Sequence, residues 1–261
     1  MLVDNIRINF RSQDLLHNTN AWYELLQKLN CLDKRLPLCY INNDEAVRYD
    51  IDSLYVKIIR SIQERSFVCI SSPELAGGQH IAIAASYTKS SFYWPEIEYY
   101  NLCIYLPAYL FKSKKLFSLP YDGYFETFVS LCKILPVYKG MLHHSDINYS
   151  AVMQHVNACG NPPKYGLPVL DYPHNYKMDE FLFPTELGWI GFWNKSIVSY
   201  IGIDNIKKGS FYKISFENGG FVYQLTREPL NKKNAEHIAI LKKNYFVMKR
   251  IGAQDLLNKL L

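Results

Sequence analysis

Residues 211–216 and 221–225, two runs rich in apolar and aromatic side chains, flank Glu217-Asn218-Gly219-Gly220, and such a pair of runs has few ways to be joined. Asparagine and glycine accept the positive φ angles of a tight hairpin turn, whose twist matches that of the strands it connects. An antiparallel hairpin is therefore expected here. Other segments read as strands: 6–10, which alternates apolar and polar, 67–70 and 80–87 joined by a loop with Gly77-Gly78, 96–106, and 137–142. In 96–106, Leu102, Ile104 and Leu106 share one face while Cys103 and Tyr105 share the other.

Helical spacing lies between these runs. Leu15, Trp22, Leu25, Leu26 and Leu29 fall on one helical face, with Ser12 placed to cap it and Asp14 in the first turn. Asp50 precedes Ile51, Leu54, Tyr55, Ile58, Ile59 and Ile62 in the same way. Residues 123–135 before Pro136, 146–157, and 253–261 read as further helices, as does the segment carrying Ile238, Leu241, Tyr245 and Met248. Asn194 can cap a short helix of Ile197, Val198 and Ile201 that ends at Gly202. Hairpin-connected strands interspersed with helices predict an α+β fold: a mainly antiparallel sheet flanked by helices, with a C-terminal β-hairpin and helix. The expectation is one domain over 1–261, with residues 1–90 a less typical N-terminal subregion.

At 261 residues and 49% hydrophobic, the chain can bury a core without staples. Its longest apolar candidate, 102–111, is about half the length of a membrane-spanning helix and contains Pro107. Asp4, Arg7 and Arg11 leave no apolar run for a signal peptide, so a cytoplasmic protein is expected. Cys31, Cys39, Cys69, Cys103, Cys132 and Cys159 form no C-x-x-C pair and read as buried free thiols. The net charge of +5 is spread along the chain. Its densest cluster, Lys112-Ser113-Lys114-Lys115, lacks the interleaved aromatics of a nucleic-acid surface and reads as a solvated loop. The 21 tyrosines lean slightly toward an interaction protein, since each pairs an apolar ring with a polar tip.

No phosphate-binding glycine loop, nucleophile elbow or H-E-x-x-H helix is present. His143-His144-Ser145-Asp146 with His155 is the best metal-like group, but adjacent histidines on a strand point to opposite faces. Surface or capping roles fit them better, and neither metal nor cofactor is expected. Glu96-Ile97-Glu98 would project two carboxylates from one face of a strand and could divide acid and electrostatic roles. The pair resembles the Glu-x-Glu of ADP-ribosyltransferases, although Ser71-Ser72-Pro73 replaces their Ser-Thr-Ser strand. An enzyme of NAD or nucleotide chemistry using Glu96 and Glu98 is thus the alternative function. A strand start with solvated carboxylates is the simpler reading, and the chain is not expected to be an enzyme.

From 160 to 184 the periodicity stops at Asn161-Pro162-Pro163, Pro168, Pro173 and Pro184, while Tyr165, Tyr172, His174 and Tyr176 make the stretch too aromatic for plain disorder. An ordered, exposed loop is expected. Residues 183–193, Phe-Pro-Thr-Glu-Leu-Gly-Trp-Ile-Gly-Phe-Trp, then read as an aromatic clasp. Gly188 and Gly191 admit close backbone approach, Glu186 can cap or bridge the turn, and Trp189, Phe192 and Trp193 each stabilise by about 2–3 kcal/mol if buried. Pro184, Glu186, Gly188, Trp189 and Trp193 are therefore assigned a structural motif.

That phrase, with the Asn194 helix, the Asn-Gly hairpin and the helix beyond, resembles the immunity protein 52-type family of bacterial polymorphic and type VI secretion toxin systems, over roughly 94–248. The resemblance implies a cytoplasmic antidote, without cofactor, that binds a cognate toxin domain one-to-one and blocks its active site or substrate surface. Tyr93, Trp94, Tyr165, Tyr172, His174 and Tyr176 are the candidate partner-binding residues. Antidotes to cationic nucleases should be acidic, so the basic charge favours a non-nuclease toxin such as an ADP-ribosyltransferase.

Overall fold

The computed structural model describes residues 5–12, 18–42, 47–65, 67–75, 78–89, 98–112, 121–143, 187–231 and 233–244. The chain divides into two compact units, Met1–Gly140 and Met141–Leu261. Among the described residues no helix is long and apolar enough to cross a membrane.

The first unit runs β1 (Asn5–Ser12), α1 (Thr19–Asn30), β2 (Tyr40–Ile41), α2 (Ile51–Arg65), β3 (Phe67–Ser71), β4 (Ala82–Lys89), β5 (Glu98–Pro107), α3 (Tyr109–Lys112) and α4 (Asp122–Ile134). Its strands lie in the order β2-β3-β4-β5-β1. The pairings of β2 with β3, β3 with β4, β4 with β5 and β5 with β1 are antiparallel. Alternation assigns the two faces. Ile6, Ile8 and Phe10 of β1, Leu102, Ile104 and Leu106 of β5, and Val68 and Ile70 of β3 are buried. The helices bring Trp22, Leu25, Leu26 and Leu29, Leu54 and Ile58, and Phe125, Phe128 and Leu131 to the same core, and Phe10 stacks on Phe128 at 5.4 Å.

Local chemistry explains where these helices start. Asp50 caps α2 as expected, its carboxylate accepting from Ser53 N–H at 2.8 Å. At α1 the expectation of Ser12 is overturned. Ser12 is the last residue of β1, and its hydroxyl donates to the Pro136 carbonyl; Asn18 is the cap instead, accepting from Ala21 N–H at 3.1 Å. A strand residue whose hydroxyl is buried against a distant carbonyl has no freedom left to start a helix. Ser72 also serves the fold, since it accepts from Ile81 N–H at 2.9 Å and closes the β3–β4 connection, with Pro73 lying beyond the strand.

The boundary falls within β6 (Lys139–His143). The second unit contains β7 (Ile190–Trp193), α5 (Lys195–Ile201), α6 (Ile203–Ile206), β8 (Lys213–Glu217), β9 (Gly220–Gln224) and a helix α7 over residues 235–244. β9 lies between β7 and β8 and is antiparallel to both. The α+β class with a C-terminal hairpin and helix is therefore what the chain adopts. Asn218 and Gly219 have φ of 51° and 76°, the two-residue turn that their chemistry demands. Asn194 caps α5 through Ile197 N–H at 3.0 Å, and Gly202, at φ 84°, ends it before α6 turns away.

One face of β7 and β9 is an aromatic layer. Trp193 lies 5.6 Å from Phe221 and 5.0 Å from Tyr223, and Phe211 lies 5.3 Å and 5.5 Å from the same two rings. Gly191 sits directly opposite Tyr223 with that phenol ring over it, so a Cβ there would overlap the ring. Trp189, just before β7, is 1% exposed and donates from Nε1 to the Thr226 carbonyl at 2.7 Å.

Candidate binding surface

The face of the first unit's sheet turned away from Ile6, Ile8 and Phe10 is built differently from its core side. Register brings Arg7 opposite Tyr105, Asn9 opposite Cys103 and Arg11 opposite Asn101, with Ala84 and Ser86 of β4 beside them and then Phe67 and Cys69 of β3. Phe67 and Arg7 are exposed, and the rest of this set is part-exposed. Arg7 donates from Nε to Asn9 Oδ1 at 2.9 Å and to Cys103 Sγ at 3.1 Å, and its guanidinium lies 5.8 Å from the Tyr105 ring centre. The phenol of Tyr105 is pushed above its ordinary pKa, first by its hydrogen bond with Cys103 and then by burial. Arg11, four residues along the strand, stands about 13 Å from Arg7. Asn9, Cys103 and Tyr105 brace the Arg7 cation, and Arg11 stands part-exposed on the same face. Such a surface can receive an acidic, partly apolar partner by charge complementarity.

Cys69 and Cys103 share the face but flank Ala84, which separates their strands by two spacings, about 10 Å, too far for a disulfide. Burial raises the Cys69 thiol. The described cysteines are free, as expected, but the expectation that they are buried fails in part. Cys39 and Cys132 are buried, Cys69 and Cys103 are part-exposed, and Cys31, just past the end of α1, is exposed. An apolar sequence neighbourhood does not reveal which face of a strand a thiol occupies.

A second polar cluster sits at the surface of this unit. Asp33 takes Arg35 Nε at 3.0 Å on Oδ1 and Arg35 Nη2 at 2.6 Å on Oδ2, and the Tyr109 hydroxyl donates to Oδ2 at 2.7 Å. Arg35 holds the carboxyl well below its usual range, while burial and then Asp33 push Tyr109 up to about 12. A depressed carboxyl stabilises the fold above its unfolded pKa of about 3.9 and loses that contribution as pH falls further. Thermal melts of Asp33→Asn should therefore be flatter than wild type between about pH 5 and 2. Parallel acid limbs in the two proteins would refute the role of this cluster.

The expected site residues fall unevenly. Tyr93, Trp94, Tyr165, Tyr172, His174, Tyr176, Pro184, Glu186 and Glu96 lie outside the described residues, and Glu98 opens β5 opposite Lys89. Gly188, Trp189 and Trp193 lie in the second unit, all buried. A Cβ on Gly188 would stand 2.8 Å from the Ile190 carbonyl oxygen and from Met141 Cβ, which accounts for glycine there. Among the described residues no group of three or more histidine, cysteine or acidic side chains could hold a metal ion. The Arg7–Arg11 face escapes notice in the sequence because its members come from separate strands. The available signal is that β1 and β5 each place polar or aromatic groups opposite their buried aliphatics.

Residues 140–255 match the profile of a domain of unknown function, DUF5953. The match begins at the boundary between the units and spans most of the second, including Trp189, Gly191 and the hairpin. No curated protein matches the chain.

Proposed function

We propose that this chain is an immunity protein of the bacterial polymorphic-toxin type, which binds a cognate toxin domain in the cytoplasm and covers its active site or substrate surface. The Pro184-to-Trp193 phrase and the elements after it support the family reading. The observation that carries a binding role is the Arg7–Arg11 sheet face, with Asn9, Cys103 and Tyr105 bracing Arg7. The braced Arg7 and its neighbour Arg11 suit an acidic toxin surface, in keeping with a toxin that is not a cationic nuclease. Inhibition by occlusion needs no reaction at the antidote.

The test is co-expression with the toxin domain encoded beside this chain, read as cell survival and as binding by calorimetry. Wild type should protect and bind one-to-one. Arg7→Glu combined with Arg11→Glu should weaken binding at least about tenfold, more at low salt than at high, because exposed charges are screened over about 10 Å at 0.1 M. Glu96→Gln with Glu98→Gln should protect as wild type does. Absence of any complex with that domain would overturn the family reading. Tight binding unaffected by the two arginine reversals would move the contact away from this face.

A further inference from the structure

Strand β8 closes one end of the strand order, and β9 is its hydrogen-bonded neighbour. Sheet edges are ordinarily blunted by charge, proline or a covering element. Here the strand reads Lys213-Ile214-Ser215-Phe216-Glu217, with Ile214 51% and Phe216 54% exposed and Tyr212, just before it, 50% exposed. These are not stray apolar residues. Phe216 packs at 5.4 Å on Phe221, which is itself buried in the aromatic layer, so the exposed side chains continue a rigid base.

The backbone of this edge has a definite polarity. A two-residue turn closes on a pair that exchanges both backbone hydrogen bonds, here Glu217 with Gly220. Alternation then makes Ser215–Val222 and Lys213–Gln224 bonded pairs as well. The N–H and C=O groups of Ile214 and Phe216 consequently point out of the sheet.

We infer that β8 is an interface at which a second copy of this chain adds its own β8, antiparallel, about a two-fold axis at Ser215. The five-residue strand is complementary to its own reverse. With Ser215 opposite Ser215 of the other copy, Ile214 falls opposite Phe216 and exchanges both backbone bonds with it, twice over by symmetry. Lys213 falls opposite Glu217 at both ends, on the other face of the sheet. The four outward backbone groups, the apolar side chains and the two charges are all matched in that one register. A shift by two residues sets Lys213 against Ser215 or Gly219 and loses the charge match. The pairing is isologous, and the matched residues all belong to the second unit.

Sedimentation of the full-length protein over a concentration series tests it. Wild type should form dimers at micromolar to submillimolar concentration. Lys213→Glu and Glu217→Lys should each weaken dimerisation about tenfold or more, since two opposite-charge pairs become two like-charge pairs. An equimolar mixture of the two variants should recover dimers, because a mixed dimer sets the two acidic side chains of one variant against the two basic side chains of the other. Unchanged far-ultraviolet dichroism would separate a lost contact from a lost fold. A wild type that stays monomeric at submillimolar concentration overturns the proposal. So do single variants that dimerise as wild type does, or a mixture that stays monomeric. Loss of toxin binding would leave these outcomes untouched, so the two readings fail separately.

Discussion

Trp189→Ala should lower the stability of the protein by about 3–5 kcal/mol, the range for truncating a large aromatic in a packed core. The indole is 1% exposed, and its backbone carbonyl receives Leu225 N–H at 2.9 Å, so side chain and main chain both hold the segment before β7 against the one after β9. Trp189→Phe separates the two contributions. It keeps most of the apolar area but removes the Nε1 donor to the Thr226 carbonyl. That carbonyl also accepts from Gln224 Nε2 at 2.9 Å, so it is not stranded, and the polar part of the loss should be only about 1 kcal/mol. Urea unfolding of both variants gives the comparison. A cost below about 1 kcal/mol for alanine would mean that the site collapses around the missing ring and that Trp189 does not anchor the unit.

Gly191→Ala should be destabilising by about 1–3 kcal/mol, although glycine-to-alanine changes at unstrained positions usually stabilise by about 0.4–1 kcal/mol through the unfolded chain. The sign reverses because the new methyl would overlap the Tyr223 ring, which cannot swing aside between Trp193, Phe211 and Phe221. The clash is also specific to one partner. Tyr223→Leu clears the space over the glycine, so the alanine should cost much less in that background, with a coupling energy above about 1 kcal/mol in a double-mutant cycle. Simple additivity of the two changes would disprove the account. A glycine opposite a large cross-strand aromatic is a packing arrangement, and the effect should appear in stability before it appears in binding.

Features that depend on a few adjacent residues were legible in the sequence. Asn218-Gly219 sets its own φ angles and with them the hairpin, and Asp50 and Asn194 reach only three residues ahead to cap their helices. Alternation in β5 was equally legible, because Leu102, Ile104 and Leu106 can face a core together only in a strand. The remaining features emerge on folding, and each joins residues far apart in the chain. Pro136 takes the Ser12 hydroxyl and so leaves Asn18 to start α1. Tyr223 explains Gly191, and Tyr109 completes the Asp33–Arg35 pair. The Arg7–Arg11 face comes into being only when β5 lies beside β1. Local propensity acts over a helical turn or a β-turn, whereas a binding surface depends on which strands become neighbours, a choice made by burial over the whole unit.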